Sequence, residues 1–172
     1  MSPNPTQTAA TKTPQEYSVG ACVPGDLSDA ELATCVEIVR DGGAVVISPE
    51  KLQKARMVAV ARNGGVIVGV GSIKRHRPDR AADIARKSGF SFSKETPELG
   101  YVAVAPQHRR QGLSHQLVDA LVKAMPGSLF ATTDDEHMMN ILSEAGFVQR
   151  GREWRGRRGQ LSLWLKESEN RP

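Results

Sequence analysis

The residues Arg109-Arg110-Gln111-Gly112-Leu113-Ser114 lie between an apolar run, Tyr101 to Val104, and a stretch with Leu113, Leu117, Val118, Leu121, Val122 and Met125 at helical spacing. A glycine between a strand and a helix lets backbone come close to a ligand, and the free N–H groups of a helix's first turn carry partial positive charge. Together these features make an anion site. The pattern is R-x-x-G-x-small; neither G-x-x-x-x-G-K-[ST] nor G-x-G-x-x-G occurs. A hexapeptide of this kind standing alone reads first as a surface turn with a capping serine and two solvated arginines.

Other chemistry-bearing residues are sparse. Glu98 begins the strand "ELGYVAV", and Tyr101 follows three residues later. Strict alternation sends those two side chains to opposite faces, which makes Tyr101 a core residue. His76, His108, His115 and His137 are dispersed, H-E-x-x-H is absent, and Cys22 and Cys35 match no common zinc spacing. No metal is implied. The two cysteines make no disulfide framework, so a reduced, cytoplasmic setting is expected. Arginines in "KRHRPDR" and "RGREWRGRRG", with Trp154 among them, could meet phosphates and stack on a base, or could simply be solvated.

The elements that position these residues follow from periodicity. At 172 residues, with 39% hydrophobic and 24% charged residues, the chain suits one domain, expected over residues 16–168. Aromatic residues are only 5%, so the core should be aliphatic, and the net charge of +4 favours anionic partners without indicating nucleic acid. Residues 1–15 are rich in Pro, Thr and Ser and read as a disordered tail. No apolar run approaches the ~20 residues of a membrane span.

"EYSV" is a short first strand. "SDAELATCVEIVRDGG" is a helix with a Ser28/Glu31 capping box and Gly42 as its left-handed stop. "SPEKLQKA" adds a helical turn, and "MVAVAR" and "VIVGVGSI" form a hairpin about Asn63-Gly64-Gly65. A polar insertion from Lys74 to Pro97 carries a helix that stops at Gly89. Strand Leu99–Val104, the helix to Met125 and strand "SLFATT" come next. A second helix opens at a Thr133/Glu136 capping box, and two antiparallel strands close the chain.

The hexapeptide, preceded by "VAVAP", resembles motif A of the GCN5-related N-acetyltransferase (GNAT) superfamily, Q/R-x-x-G-x-G/A between the fourth strand and third helix. "EAGFVQRG" is similar to the family's "xxGFxxxG", and the order of elements matches over roughly Tyr17 to Lys166. Ser114 departs from the usual Gly or Ala. The resemblance implies an α/β fold with a mixed, mostly antiparallel central sheet flanked by helices, here with an insertion between the third and fourth strands. It implies acetyl-CoA as co-substrate and no metal. The amides of Arg109, Arg110, Gln111, Gly112, Leu113 and Ser114 would hold its pyrophosphate, and Val102, Ala103 and Val104 would pair with the pantetheine arm. Asp135 falls near the family's pantetheine-contacting asparagine, or simply favours a helix N-terminus.

The resemblance also implies transfer of an acetyl group to a primary amine of a small molecule, a protein or an aminoacyl-tRNA, by a monomer or homodimer. A catalytically silent acyl-CoA-binding module, or a nucleic-acid-interacting one, would share the fold. Some members use a glutamate at the position of Glu98 as general base, which would need its carboxyl raised from ~4.3; a solvated strand-end glutamate is the competing reading. The family's usual proton-donating tyrosine corresponds to Leu142, which cannot donate, and Ser143 and His137 are the nearby polar substitutes. Lys74, Arg75, Arg77 and Arg80 of the insertion would gather near Glu98 and select an acceptor bearing phosphate or carboxylate.

Overall fold

The structure, a computed structural model, describes residues 16–43 and 47–168; the tail expected over 1–15 lies outside them. Strands β1 (Tyr17–Cys22), β2 (Met57–Asn63), β3 (Val66–Ile73) and β4 (Leu99–Val104) form an antiparallel sheet in the order β1-β2-β3-β4. Strands β5 (Leu129–Thr133), β6 (Val148–Arg155) and β7 (Gln160–Lys166) form a second antiparallel sheet in the order β5-β7-β6. The helices are α1 (Asp29–Asp41), α2 (Pro49–Gln53), α3 (Pro78–Ser88), α4 (Leu113–Ala124) and α5 (Glu136–Glu144). The order of elements and the mostly antiparallel sheet flanked by helices are those expected.

Period-2 alternation divides the first sheet between two helices. Val58 and Val60 of β2 pack with Leu32, Cys35, Val36 and Val39 of α1, while Ala59 and Ala61 share the opposite core with Leu113, Leu117, Val118 and Leu121 of α4. Full burial of each large aliphatic side chain contributes about 1.5–3 kcal/mol, so α4 is fixed to the sheet by four such anchors starting at its first residue. Helix α3 packs Ala81 and Ile84 against Phe130, Leu163 and Leu165 of the second sheet.

Local details differ from expectation at three places. Gly42 is right-handed, φ −71, and the left-handed residue beyond α1 is Gly43, φ 77. Helix α5 is capped by Asp135, whose carboxylate accepts from the His137 N–H at 3.0 Å; the Thr133 hydroxyl accepts from the Asp135 N–H at 3.1 Å while Thr133 itself stays in β5. A carboxylate directly before the first turn serves the cap better than a threonine committed to a strand. The third is in β4. Tyr101 and Val102 together oppose Gly71, and Tyr101 takes φ 55, so a bulge replaces strict alternation. Tyr101 is therefore half-buried at the edge of a cavity instead of enclosed in the core.

Candidate active site

Among the described residues, one backbone bridge joins the two sheets. Glu98 and Phe130 form a single parallel bridge, supported by the Phe130 N–H donating to the Pro97 carbonyl at 3.0 Å. Beyond it β4 and β5 have no shared ladder, and a cavity of about 490 Å³ opens between them. Val102 and Ala103 line its β4 side; Thr132, Asp134, Asp135, Met138 and Leu142 line the other. The bulge lies on this wall. An extra residue in one strand leaves peptide groups out of the ladder, and a non-glycine residue at positive φ is strain of the kind found where backbone is aimed at a ligand.

At the far end of β4 the corner has the form the sequence suggests. Arg110 and Gly112 are both left-handed, φ 64 and 73. Gly112 is the N-cap of α4 with no side-chain cap, and a Cβ there would meet nothing within 4 Å. Arg109, Arg110, Gln111 and Gly112 are exposed, Ser114 is partly exposed, and Leu113 is buried as the anchor of the helix. The Arg109 guanidinium folds back, its Nε donating to the Val104 carbonyl at 3.2 Å, and so fixes the turn to the end of β4. The first-turn amides of α4 thus face outward without a capping side chain, and the capping serine of the simpler reading is absent.

Glu98 sits at the other end. It is 9% exposed, with Lys74 Nζ at 3.1 Å and Arg80 Nε at 3.3 Å from its carboxylate oxygens. Burial alone would push its carboxyl up, but Lys74 and Arg80 outweigh that and hold it below the ordinary carboxyl range. A base poised near neutrality needs the opposite direction. Lys74 reaches Glu98 across Gly100, where an added Cβ would stand 2.5 Å from Lys74 Cε, and its ammonium lies 4.4 Å from the centre of the Tyr101 ring. Burial first, and the Glu98 charge second, raise the Tyr101 phenol above its usual value, so it is protonated at neutral pH.

A second cavity, of about 460 Å³, adjoins the first through Lys74, Arg80, Glu98 and Tyr101, which line both. Its outer wall contains Arg75 and Arg77 from the insertion, as the sequence suggests, and also Lys51 and Lys54 from α2 and its end. Sequence reasoning missed the two lysines and Tyr101. An aromatic three residues after a strand-leading carboxylate gives no sign of a bulge between them.

The remaining candidates divide. Leu142 is buried in the cleft wall, whereas Ser143 is exposed outside it and His137 stacks edge-on against His115, centroids 6.3 Å apart. Asp135 both caps α5 and lines the cleft. In the second basic segment Arg152 donates to the Lys87 carbonyl at 3.2 Å, Trp154 packs with the α3 core, and Arg157 and Arg158 line the first cavity. Burial pushes the Cys35 thiol up to about 12, so it is no nucleophile. Among the described residues there is no group of side chains that could hold a metal, and no helix long and apolar enough to cross a membrane.

Comparison with family models matches residues 28–147 to the acetyltransferase (GNAT) family. Comparison with curated protein sequences returns no match. Among solved structures, a GNAT-family acetyltransferase from Streptococcus agalactiae superimposes with a TM-score of 0.63 at 14% identity, covering 90% of this chain and 96% of that one. Arabidopsis thaliana NAA60, solved with a bisubstrate analogue, gives 0.64 at 13%, covering 88% and 99%. The ribosomal L7/L12 alpha-N-protein acetyltransferase RimL, solved with coenzyme A, gives 0.58 at 11%, covering 89% and 94%. At these identities the likeness is one of fold.

Proposed function

The chain belongs to the acetyltransferase (GNAT) family, and from that premise we propose that it is an acetyl-CoA-dependent N-acetyltransferase, with residues 16–168 as its single catalytic domain. The observation that carries this reading is the run of backbone from the uncapped N-terminus of α4, along β4, to the carboxylate–phenol junction at Glu98 and Tyr101. The residues fit the co-substrate. An exposed left-handed glycine with open space above it admits a diphosphate to the amides of Arg109 to Ser114. Val102 and Ala103 offer an unpaired strand edge to an amide-bearing pantetheine arm, with Asp135 across the cleft, and that edge ends at Val104, whose carbonyl accepts from Arg109.

Bound acetyl-CoA would supply an activated acyl group: a C–N bond forms as the C–S bond breaks, and overall one proton passes from nitrogen to sulfur. The chain's own contribution is positional and electrostatic. The bulge at Tyr101 and Val102 presents peptide groups to the junction. With Leu142 in the cleft wall, the Tyr101 phenol takes the proton-donor role. Glu98 is assigned the task of holding Lys74 and Arg80 in place, because a carboxylate kept ionised by two cations is a weak base. Water carries the amine proton away.

Calorimetry with acetyl-CoA, followed by thiol release across small amines, protein N-termini and aminoacyl-tRNA, tests the reading. Micromolar binding with amine-dependent thiol release supports it. Binding without turnover of any amine would leave a silent acyl-CoA module.

A further inference from the structure

The cavity beyond Glu98 is walled by six cationic side chains, Lys51, Lys54, Lys74, Arg75, Arg77 and Arg80, against two carboxylates, Glu50 and Glu98. They come from two segments separated in sequence: α2 and its end, and the stretch from the turn after β3 into the start of α3. Lys74 and Arg80 are committed to Glu98. Two of the outer ones are engaged by exposed partners. Lys54 meets Glu50 at 3.3 Å and Arg77 meets Asp79 at 2.8 Å, with all four side chains more than half exposed. Such solvent-exposed pairs are weak and exchange readily for a ligand oxyanion. Arg75 is exposed and has no carboxylate within ion-pair distance among the described residues.

We infer that this cavity is the acceptor site and that it selects a small amine bearing a carboxylate or phosphate group, held by Lys51, Arg75 and Arg77 with its nitrogen at the Glu98–Tyr101 junction. The inference rests on the acetyltransferase reading, which gives the neighbouring cavity to the co-substrate. Its size, about 460 Å³, lies within the range of small-molecule sites. Arginine pairs with planar oxyanions through two parallel hydrogen bonds, which orients the ligand as well as holding it.

The same charge has a chemical consequence. Cations around an ammonium disfavour its protonated form, so the wall shifts a bound amine toward the neutral nucleophile. An acceptor with an anionic anchor gains that shift while still binding. A polycation is repelled from the same wall.

The test is calorimetric titration of the full chain, free and with coenzyme A, using four probes: L-glutamate, O-phosphoserine, L-glutaminamide, which has the amine but no carboxylate, and spermidine. The expected result is that glutamate or O-phosphoserine binds at least about tenfold more tightly than glutaminamide. Whichever of the two is preferred identifies the anion. The Lys51/Arg75/Arg77 triple alanine variant, whose arginines are exposed, should lose at least about tenfold in anion affinity while coenzyme A affinity holds. Glutaminamide or spermidine binding as well as the anions would overturn the inference, as would undiminished anion binding by the variant. Binding of an acidic peptide with no binding of either small anion would overturn it too. Loss of the acetyltransferase reading would show separately, as failure of coenzyme A to bind, because anion binding is also measured in its absence.

Discussion

One of the two cavities that meet at Glu98 is built from backbone and the other from side chains. The first runs along the free edge of β4 and the bulge at Tyr101, and much of its lining is small or aliphatic, Val102, Ala103, Ala131 and Leu142, although Arg157 and Arg158 line it too. The second is ringed by long flexible cations. A backbone site needs only a few residue types, a glycine at the turn and apolar residues that set the strand and helix, and it tolerates change in everything else. A side-chain site is specific in charge and changes with every substitution. One scaffold can keep its acyl donor constant and vary its acceptor because the two demands are written in different parts of the chain.

The largest effect should follow from breaking the backbone site. Gly112→Val places a β-branched side chain at φ 73, in open space where a ligand would approach. Coenzyme A affinity should fall by about a hundredfold or more, nearly 3 kcal/mol, with secondary structure intact by circular dichroism. Gln111→Ala, which removes only an exposed side chain, should change affinity by less than about threefold. Equal effects of the two would remove the distinction between backbone and side chain on which the comparison rests.

Next comes the junction. Glu98→Gln leaves Lys74 and Arg80 facing a neutral amide, which should reduce stability by about 1–3 kcal/mol in denaturant titration. Because the folded Glu98 carboxyl is held below the ordinary glutamate value of 4.5, its contribution is present above that pH and is lost as pH falls through the lowered folded value. The stability gap between wild type and Glu98→Gln should therefore close on acidification below the ordinary carboxyl range. A kcat/KM profile for the wild type should show no acid limb from Glu98 near neutrality, only that of the acceptor amine. A limb at pH 6–7 that vanishes in Glu98→Gln would restore Glu98 as the general base.

These two regions were unequally legible in the sequence. The strand–glycine–helix corner could be read because its signals are local: apolar run, turn residues and helical spacing lie within one contiguous stretch, Tyr101 to Met125. Glu98 could be placed, since it leads that strand, but not its ionisation, which depends on Lys74 and Arg80 arriving from another turn and helix. The bulge was hidden, as alternation assumes one residue per step, and Gly71 opposing both Tyr101 and Val102 is a property of pairing across strands. Lys51 and Lys54 gave no sign at all. Their approach to the cavity follows from how α2 docks beside α1, a packing outcome of non-adjacent segments.

A smaller effect isolates the Tyr101 hydroxyl. Tyr101→Phe keeps the ring under the Lys74 ammonium and removes only the proton donor. If the phenol protonates the leaving thiolate, kcat should fall by about ten- to a hundredfold with acetyl-CoA affinity unchanged. An unchanged kcat would return that proton to water and leave Tyr101 as a platform for Lys74.

The smallest effect belongs to Gly100, where the two cavities share a part. The Lys74 stem crosses β4 over this residue, and a Cβ added there would stand 2.5 Å from Cε and 3.1 Å from Nζ. The obstruction is the far end of a flexible side chain, so Gly100→Ala should cost less stability than Glu98→Gln, as Lys74 swings aside while Arg80 stays beside Glu98. Moved off Gly100, Lys74 gives up its place beside Glu98 and the Tyr101 ring, and the wall shared by both cavities loses one fixed charge. The expected outcome is a rise of about two- to fivefold in acceptor KM with coenzyme A affinity unchanged, and Gly100→Ala combined with Lys74→Ala should be no worse than Lys74→Ala alone. Additive effects in that double variant would show that Gly100 acts on the strand itself, and would move the boundary between backbone-built and side-chain-built site one residue further along β4.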